Sequence, residues 1–412
     1  MRKLHSVGRV LEEALNYLSL PRVVEVPVEE SLGMYSAEDV YSSFKLPPRP
    51  KAVVDGYAVR ARDVEAAGPT SPVVLRKMDV VLRPNTVSGL QLPCGYATKV
   101  ETGAILPEGA DAVVPVEDVV EGEEKIYVYK RLALWENVSL PGEEYDSGLK
   151  IIGRGEVIQP YSVAGLVLEG RQAVKVYDLK ASVLNVGDEL LTSTFFKPYT
   201  HILVSSWLRT LGINVAGIGF SPDSVDHISG WLKERTEWLT VLIGGTSMGG
   251  HDLTIKAISA LDPEFMAHGL ALQPGKTACV AVRDGRLVLA ISGLPVAALS
   301  TLEVFLRPLL RRLGIKVPLL PRVRAKLTRR ISVKMGVVGF ARVRVFEEKG
   351  EYYAEPLMLG GSGALASLLR GNGYVIVPEG VEGYDEGETV EVNLYGEVES
   401  SKRQESPPPA RA

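Results

Sequence analysis

The chain has 412 residues, 46% of them hydrophobic and 23% charged, with a formal net charge of −4. That length exceeds the roughly 250–300 residues at which single cores stop growing, so more than one domain is expected. A slightly acidic balance gives no electrostatic case for nucleic acid. Cys94 and Cys279, the 2 cysteines, form no CxxC and no disulfide framework, which suits a reducing compartment. MRKLHSVGRV carries charge with no apolar h-region behind it, and no run approaches the ~18 apolar residues of a membrane span. These features predict a cytoplasmic protein, and the 41 Gly and 26 Pro predict many tight turns.

Val7, Val10, Leu11, Ala14, Leu15 and Leu18 recur at helical spacing after Ser6, predicting an amphipathic opening helix that Pro21 ends. Residues 22–45 read as a strand (VVEVPV) and a helical turn or two around Ser36–Tyr41. LPPRPK (46–51) breaks the chain, because its prolines remove backbone donors and forbid helix. From there to about residue 140 short β runs alternate with Gly/Pro turns: Val73–Lys77, Tyr96–Glu101, Ala112–Val116 and Lys125–Lys130. Residues 137–170 read as loop, strand and helix packing back on the N-terminal segment.

Residues 178–313 alternate strand and helix. The strands are Ala181–Val186, Asn214–Gly219, Trp238–Ile243, Thr277–Val282 and Arg286–Ile291, the last two joined as a hairpin by Asp284–Gly285. Helices are placed near His201–Leu211 and Ser224–Glu234 and, strongly, over Val296–Leu313. This pattern predicts a doubly wound, mostly parallel sheet with one antiparallel pair. VPLLPR (317–322) reads as a linker, and residues 322–396 are β-rich with one helix at Ala364–Arg370. The proline-rich tail is expected to be disordered. The predicted divisions are 1–45 with 141–177, an inserted β domain at 46–140, an α/β domain at 178–318, a C-terminal β-rich domain at 319–397, and the tail 398–412.

The chemistry concentrates in VLIGGTSMGGHDLT (241–254). A strand feeds a glycine-rich turn and then a helix opened by Asp252, the usual phosphate-binding arrangement of an open α/β sheet. Asp188 and Glu189 in LNVGDELL end a predicted strand at the same edge. Asp252 can be a plain helix N-cap and Gly187-Asp188 a plain turn, but carboxylates near a phosphate loop suit Mg²⁺. Lys276 in LQPGKT can hold a phosphate or be an ordinary surface lysine. Ser247 formally completes a G-x-S-x-G elbow, yet the only histidine well downstream, His268, lies too near in sequence to come from another strand end. The histidines show no zinc spacing, and His251 is read as solvated.

Taken in order, these motifs resemble the MoeA/gephyrin family of molybdopterin molybdenumtransferases over nearly the whole chain. LPPRPKAVVDGYAVRARDV is similar to the family's P-P-x-x-x-S-A-M-D-G-Y-A-V, with Val54 in the Met position. ETGAILPEGADAVVPVED, LPGEEYDSG (with Glu144 in an Asp position), NVGDEL, FSPDS, GGTSMGGHDLT and the C-terminal GSGALASLLRGNGYVIVPEGVEGYDEGETVEV follow. The resemblance implies an elongated four-domain fold and a cytoplasmic homodimer with active sites shared between subunits. It implies insertion of molybdate, or tungstate, into adenylylated molybdopterin, with Mg²⁺ and release of AMP. Asp55 and Thr102 would act catalytically from the partner side, with Glu189 and Asp252 as the other catalytic residues. Metal ligands would be Asp188, Glu189, Asp223, Asp252 and Glu144. Gly244, Gly245, Thr246, Ser247, Gly249, Lys276, Gly293 and Pro295 would bind substrate.

Three departures stand out. Gly293-Leu294-Pro295 runs straight into Val296, so a Gly-Asn-Pro step of the family's loop is missing; Gln273 replaces a lysine; Asn185 and Val186 replace Ser-Thr. They leave open a second reading, a non-catalytic paralogue serving as a dimeric scaffold.

Overall fold

The computed structural model describes residues 4–84, 89–188, 198–246, 252–357, 361 and 363–400. The chain divides into two compact units, one of Asp39–Gly153 with Pro160–Gln172, the other of Met1–Glu38, Arg154–Gln159 and Ala173–Ala412.

The opening helix α1 (Val7–Leu15) buries Val7, Val10, Leu11 and Ala14 along the predicted stripe. It stops before Pro21 because tertiary bonds take over: Ser19 donates its N–H to the Gly285 carbonyl, and Trp238 Nε1 donates to the Ser19 carbonyl. Strand β1 (Val23–Pro27) follows. The helical turn predicted at Ser36–Tyr41 does not form. Ser36 and Ala37 donate their N–H groups to the carbonyls of Glu156 and Lys175, and Val40–Tyr41 pairs as a strand with Lys150–Ile152. Lateral partners outcompete a short helix with a costly nucleus.

The smaller unit is built on β2 (Gly56–Val59), β3 (Val73–Leu82), β4 (Tyr96–Val100), β5 (Ala112–Pro115), β6 (Val119–Glu121) and β7 (Lys125–Val128), in the order β5-β2-β4-β3-β7-β6. Tyr57, Val59, Ala97, Val114 and Ile126 fill one of its cores. Helix α2 (Pro160–Leu168) belongs to the same unit.

In the larger unit β8 (Ala173–Tyr177) pairs antiparallel with β1. The central sheet uses β9 (Lys180–Val186), β10 (Asn214–Ser221), β11 (Leu239–Ile243), β12 (Phe265–His268), β13 (Cys279–Arg283) and β14 (Arg286–Ile291) in the order β10-β9-β11-β14-β13-β12. Strands β10, β9, β11 and β14 are mutually parallel. Two antiparallel pairings, β14–β13 and β13–β12, replace the single one expected, because the half-buried FMAH segment adds an edge strand that its short, unpatterned sequence concealed. Asp284 and Gly285 take φ values of 52° and 70°, which gives the hairpin its tight turn.

Helix α3 (Thr200–Thr210) shares one face of the sheet with α1, and α4 (Val225–Lys233) and α5 (Leu253–Ser259) cover the other. Ser224 caps α4 by accepting from His227 N. The architecture is therefore a multidomain α/β fold around a doubly wound, mostly parallel sheet.

The closing helix runs as α6 (Pro295–Thr301), a π turn at Leu302–Leu306, and α7 (Arg307–Arg312). The π turn carries the buried Glu303. Its carboxylate accepts from Trp207 Nε1 (2.6 Å), from the Tyr374 hydroxyl (2.8 Å) and from Arg307 Nε (2.7 Å). Burial first, and the Glu303 charge second, raise the Tyr374 pKa, so the phenol keeps the proton it donates. Tyr374 belongs to the C-terminal sheet, formed by β15 (Arg322–Leu327), β16 (Val338–Glu348), β17 (Glu351–Pro356), β18 (Gly373–Val377) and β19 (Thr389–Leu394), with helix α8 (Leu365–Arg370). Leu272–Gln273, from beside the central sheet, joins β16 in parallel.

Glu303→Ala would strand Arg307 in the interior, an uncompensated buried charge that costs about 3–5 kcal/mol. Urea unfolding should show a correspondingly lower midpoint; a change within the ~0.5 kcal/mol usual for surface positions would refute the role given to this carboxylate.

Candidate functional site

Because β9, β10, β11 and β14 run parallel, the segments that leave their C-terminal ends share one rim of the sheet. From β9 the chain goes to β10 on one side and then crosses to β11 on the other, so the segments after β9 and β11 diverge and open a crevice. This is the topological switch point at which open α/β sheets bind ligands.

Gly244 leaves β11 with φ 97°, and a Cβ there would lie 2.3 Å from the Val186 carbonyl oxygen at the end of β9. Gly245 has φ 62°, and its Cβ would fall 2.3 Å from Thr254 Oγ1. Both positions therefore demand glycine. The Gly244 N–H is spent on the Ile291 carbonyl, and its own carbonyl accepts from Thr254 Oγ1 at 3.0 Å. The N–H groups of Gly245 and Thr246 have no partner among the described residues, leaving two donors for a ligand oxygen. Thr246, only 4% exposed, is held by a 3.3 Å contact between its hydroxyl and that of Thr277.

Asp252 stands at the N-cap position of α5, but its side chain makes no capping bond. It is 6% exposed, and its Oδ1 is buried with no partner among the described residues. An unsatisfied buried acceptor is costly and calls for an explanation, and a ligand or cation at this rim supplies one. Asp188 and Asp223, beyond the ends of β9 and β10, bind one another reciprocally: Asp223 N donates to Asp188 Oδ1 (3.0 Å) and Asp188 N to Asp223 Oδ2 (3.4 Å). Gly293 follows β14; a Cβ on it would lie 4.0 Å from Gly244 Cα, and its carbonyl accepts from Thr200 Oγ1 at 2.6 Å. Pro295 is buried at the start of α6, and Lys276 is exposed after a turn whose Pro274 carbonyl accepts from Ser300 Oγ.

Thus Asp188, Asp223, Gly244, Gly245, Thr246, Asp252 and Gly293 belong to one rim. Glu189, Ser247 and Gly249 lie outside the described residues. His268 ends β12, three strands from β11, and at the ~4.8 Å strand spacing it stands roughly 14 Å away, out of reach of a nucleophile in that loop. Among the described residues no three His, Cys, Asp or Glu side chains gather as a metal site. Sequence reasoning did not find Thr200, Thr254 and Thr277, which hold the loops through single hydroxyls; no spacing signals such contacts. It also did not assign a site role to Asn185 on β9, whose Nδ2 is buried with no partner among the described residues. On α3, His201 packs edge-on against Phe220 with ring centroids 5.2 Å apart, and burial lowers its pKa, favouring the neutral ring.

The smaller unit holds three residues the resemblance had assigned. Asp55 accepts from the Thr102 N–H and from its hydroxyl, both at 2.7 Å, and these bonds, the backbone one foremost, hold its pKa below the usual carboxylate value. Glu144, expected as a metal ligand, is instead paired with Lys51 across the loops of that unit.

Comparison with known proteins agrees with this geometry. Residues 5–170 match the MoeA N-terminal region (domain I and II), residues 182–312 a probable molybdopterin binding domain, and residues 324–395 the MoeA C-terminal region (domain IV). A molybdopterin biosynthesis protein of Methanocaldococcus jannaschii is 32% identical, covering 93% of this chain and 96% of its own. A protein of Staphylococcus aureus named molybdopterin molybdenumtransferase is 27% identical, over 94% of this chain and 95% of its own. The crystal structure of the molybdopterin biosynthesis MoeA protein of Pyrococcus horikoshii superposes with a TM-score of 0.78 at 31% identity, covering 96% of this chain and all of that one. The chain belongs to the MoeA family. It is an enzyme of the transferase class.

The rim makes a paired prediction. Gly244→Ala forces a side chain into the Val186 carbonyl and a left-handed backbone, which costs at least about 1–3 kcal/mol, whereas Gly293→Ala makes only an ordinary contact, 4.0 Å from Gly244 Cα. Thermal unfolding should separate the two clearly; equal melting temperatures would contradict the close approach.

Proposed function

We propose that this protein inserts molybdate, or tungstate in its place, into adenylylated molybdopterin and releases AMP, forming the molybdenum cofactor. The observation that carries the reading is Asp252: a buried carboxylate oxygen with no partner among the described residues, beside a glycine turn with two N–H groups likewise unpartnered among them, above the switch point of the sheet. The relatives' names support the substrate class. Molybdate and the pterin adenylate are cargo and substrate.

The arrangement suits such a reaction. Cleaving a phosphoanhydride while an oxyanion exchanges its ligands needs charge stabilisation and positioning more than a protein nucleophile. Gly245 and Thr246 present N–H groups to a phosphate oxygen. Lys276 adds a mobile point charge, and the Gly293–Pro295 turn walls the crevice on the β14 side. Asp252 offers one hard carboxylate oxygen of the kind Mg²⁺ takes; Asp188 and Asp223 stand at the same rim without gathering with it into a three-carboxylate site, and Glu189 comes next in the chain. Bound at Asp252, Mg²⁺ would neutralise anhydride charge. Asp55 and Thr102 then act, on this reading, from the second subunit of a cytoplasmic homodimer. No helix among the described residues is long and apolar enough to cross a membrane.

Asp252→Ala is the direct test. Single-turnover assays with adenylylated molybdopterin, molybdate and Mg²⁺ should show AMP release falling at least about 100-fold, the scale of losing one electrostatic stabiliser, while the variant still melts cooperatively. Undiminished AMP release would remove Asp252 from the mechanism, and no AMP release by the unaltered protein would favour the scaffold reading.

A further inference from the structure

A second basic cavity lies far from the rim. It has a volume of about 340 Å³ and sits between α7, the linker after it and the C-terminal sheet. Arg307, Arg311 and Arg312 of α7 and Arg322 of β15 line it, against a single lining carboxylate, Glu303. It is reached at the C-terminal end of the closing helix, whereas Pro295 starts that helix at the rim. The 18 residues Pro295–Arg312 place the two sites roughly 25 Å apart at the helical rise.

The four guanidiniums are not equally committed. Arg307 is buried, fully engaged by Glu303 and the Pro318 carbonyl, and so forms a fixed floor. Arg312 pairs with Glu12, and Arg322 with Glu391 at 2.8 Å, with both partners of each pair more than half exposed. Exposed pairs of that kind exchange readily with a competing anion. Among the described residues Arg311 has no carboxylate partner, and Nη1 donates to the Val317 carbonyl at 2.6 Å. Cations on a last helical turn complement the helix dipole, which accounts for Arg311 and Arg312. It does not account for Arg322, which comes from a different element, β15, and lines the same cavity.

Guanidinium forks from two elements lining one cavity suit phosphate oxygens, which they bind in bidentate fashion. The volume stands at the small end of the ~300–1,000 Å³ typical of ligand sites. The Asn393 side chain adds a polar group, and Leu319, Leu320 and Ile376 add an apolar wall. We infer that this cavity binds a small phosphate-bearing anion, either inorganic pyrophosphate or a nucleoside monophosphate, through Arg311 and Arg322. Such a ligand bridges the closing helix of the α/β sheet to the C-terminal sheet. The inference does not rest on the reading of the rim.

Calorimetric titration of the full chain tests it, with separate arms for pyrophosphate, AMP and sodium chloride at matched ionic strength. Saturable binding of pyrophosphate or AMP is expected, and whichever binds more tightly identifies the source. Arg311→Gln/Arg322→Gln should weaken one equivalent of that binding at least tenfold or remove it, and that equivalent should persist in Lys276→Ala, whatever the latter does to a separate equivalent at the rim. Arg311→Lys, which keeps the charge and loses the fork, should weaken it several-fold and guards against a folding defect in the double variant. Unchanged titration of the double variant, loss of the same equivalent in Lys276→Ala, or heats reproduced by sodium chloride would overturn the inference.

Discussion

The Cα hydrogens of Gly244 lie against the Val186 carbonyl, and the rest of the rim follows from that contact. It lets the segments after β9 and β11 part at the shortest possible distance, with the β11 turn lying over the end of β9. The turn in turn holds Thr246 in the interior beside Thr277 and leaves the Gly245 and Thr246 N–H groups without a partner among the described residues. Thr254 ties the start of α5 back to the Gly244 carbonyl, which sets Asp252 at the crevice with its carboxylate uncapped. Remove the glycine and the geometry that leaves Asp252 unpartnered goes with it.

Stability and function are placed on different residues along the same helix. Its first turn, at Pro295, borders the crevice. Its π turn carries Glu303, which gathers Trp207, Arg307 and Tyr374 into one satisfied buried network. A buried ion pair earns little stability by itself, but a fully bonded one fixes which helix face meets which sheet. The C-terminal sheet is thereby registered on the α/β sheet, a condition for any ligand that touches both.

Much of this was legible in the chain. The apolar run 238–243, the glycines after it and Asp252 before a helical segment located the crevice, because strand, turn and helix each have a local signature. The Asp284–Gly285 hairpin was legible for the same reason. What escaped notice depended on partners distant in sequence. Ser36–Tyr41 has a helical look and is extended because Glu156 and Lys175 take its bonds. FMAH has no clear alternation, yet it completes the sheet edge. The reciprocal bonds of Asp188 and Asp223 could not be seen from either segment alone, nor could the choice of Lys51 as the partner of Glu144. Asp252 shows the limit most clearly: the sequence allowed a cap or a ligand, and the structure shows an N-cap position whose side chain makes no capping bond.

The most direct test of the account is a crystal structure of the protein grown with AMP and Mg²⁺. The account predicts phosphate density against the N–H groups of Gly245 and Thr246, with a cation bridging it to Asp252. Phosphate bound elsewhere with that turn left empty, or a cation held without Asp252, would contradict it.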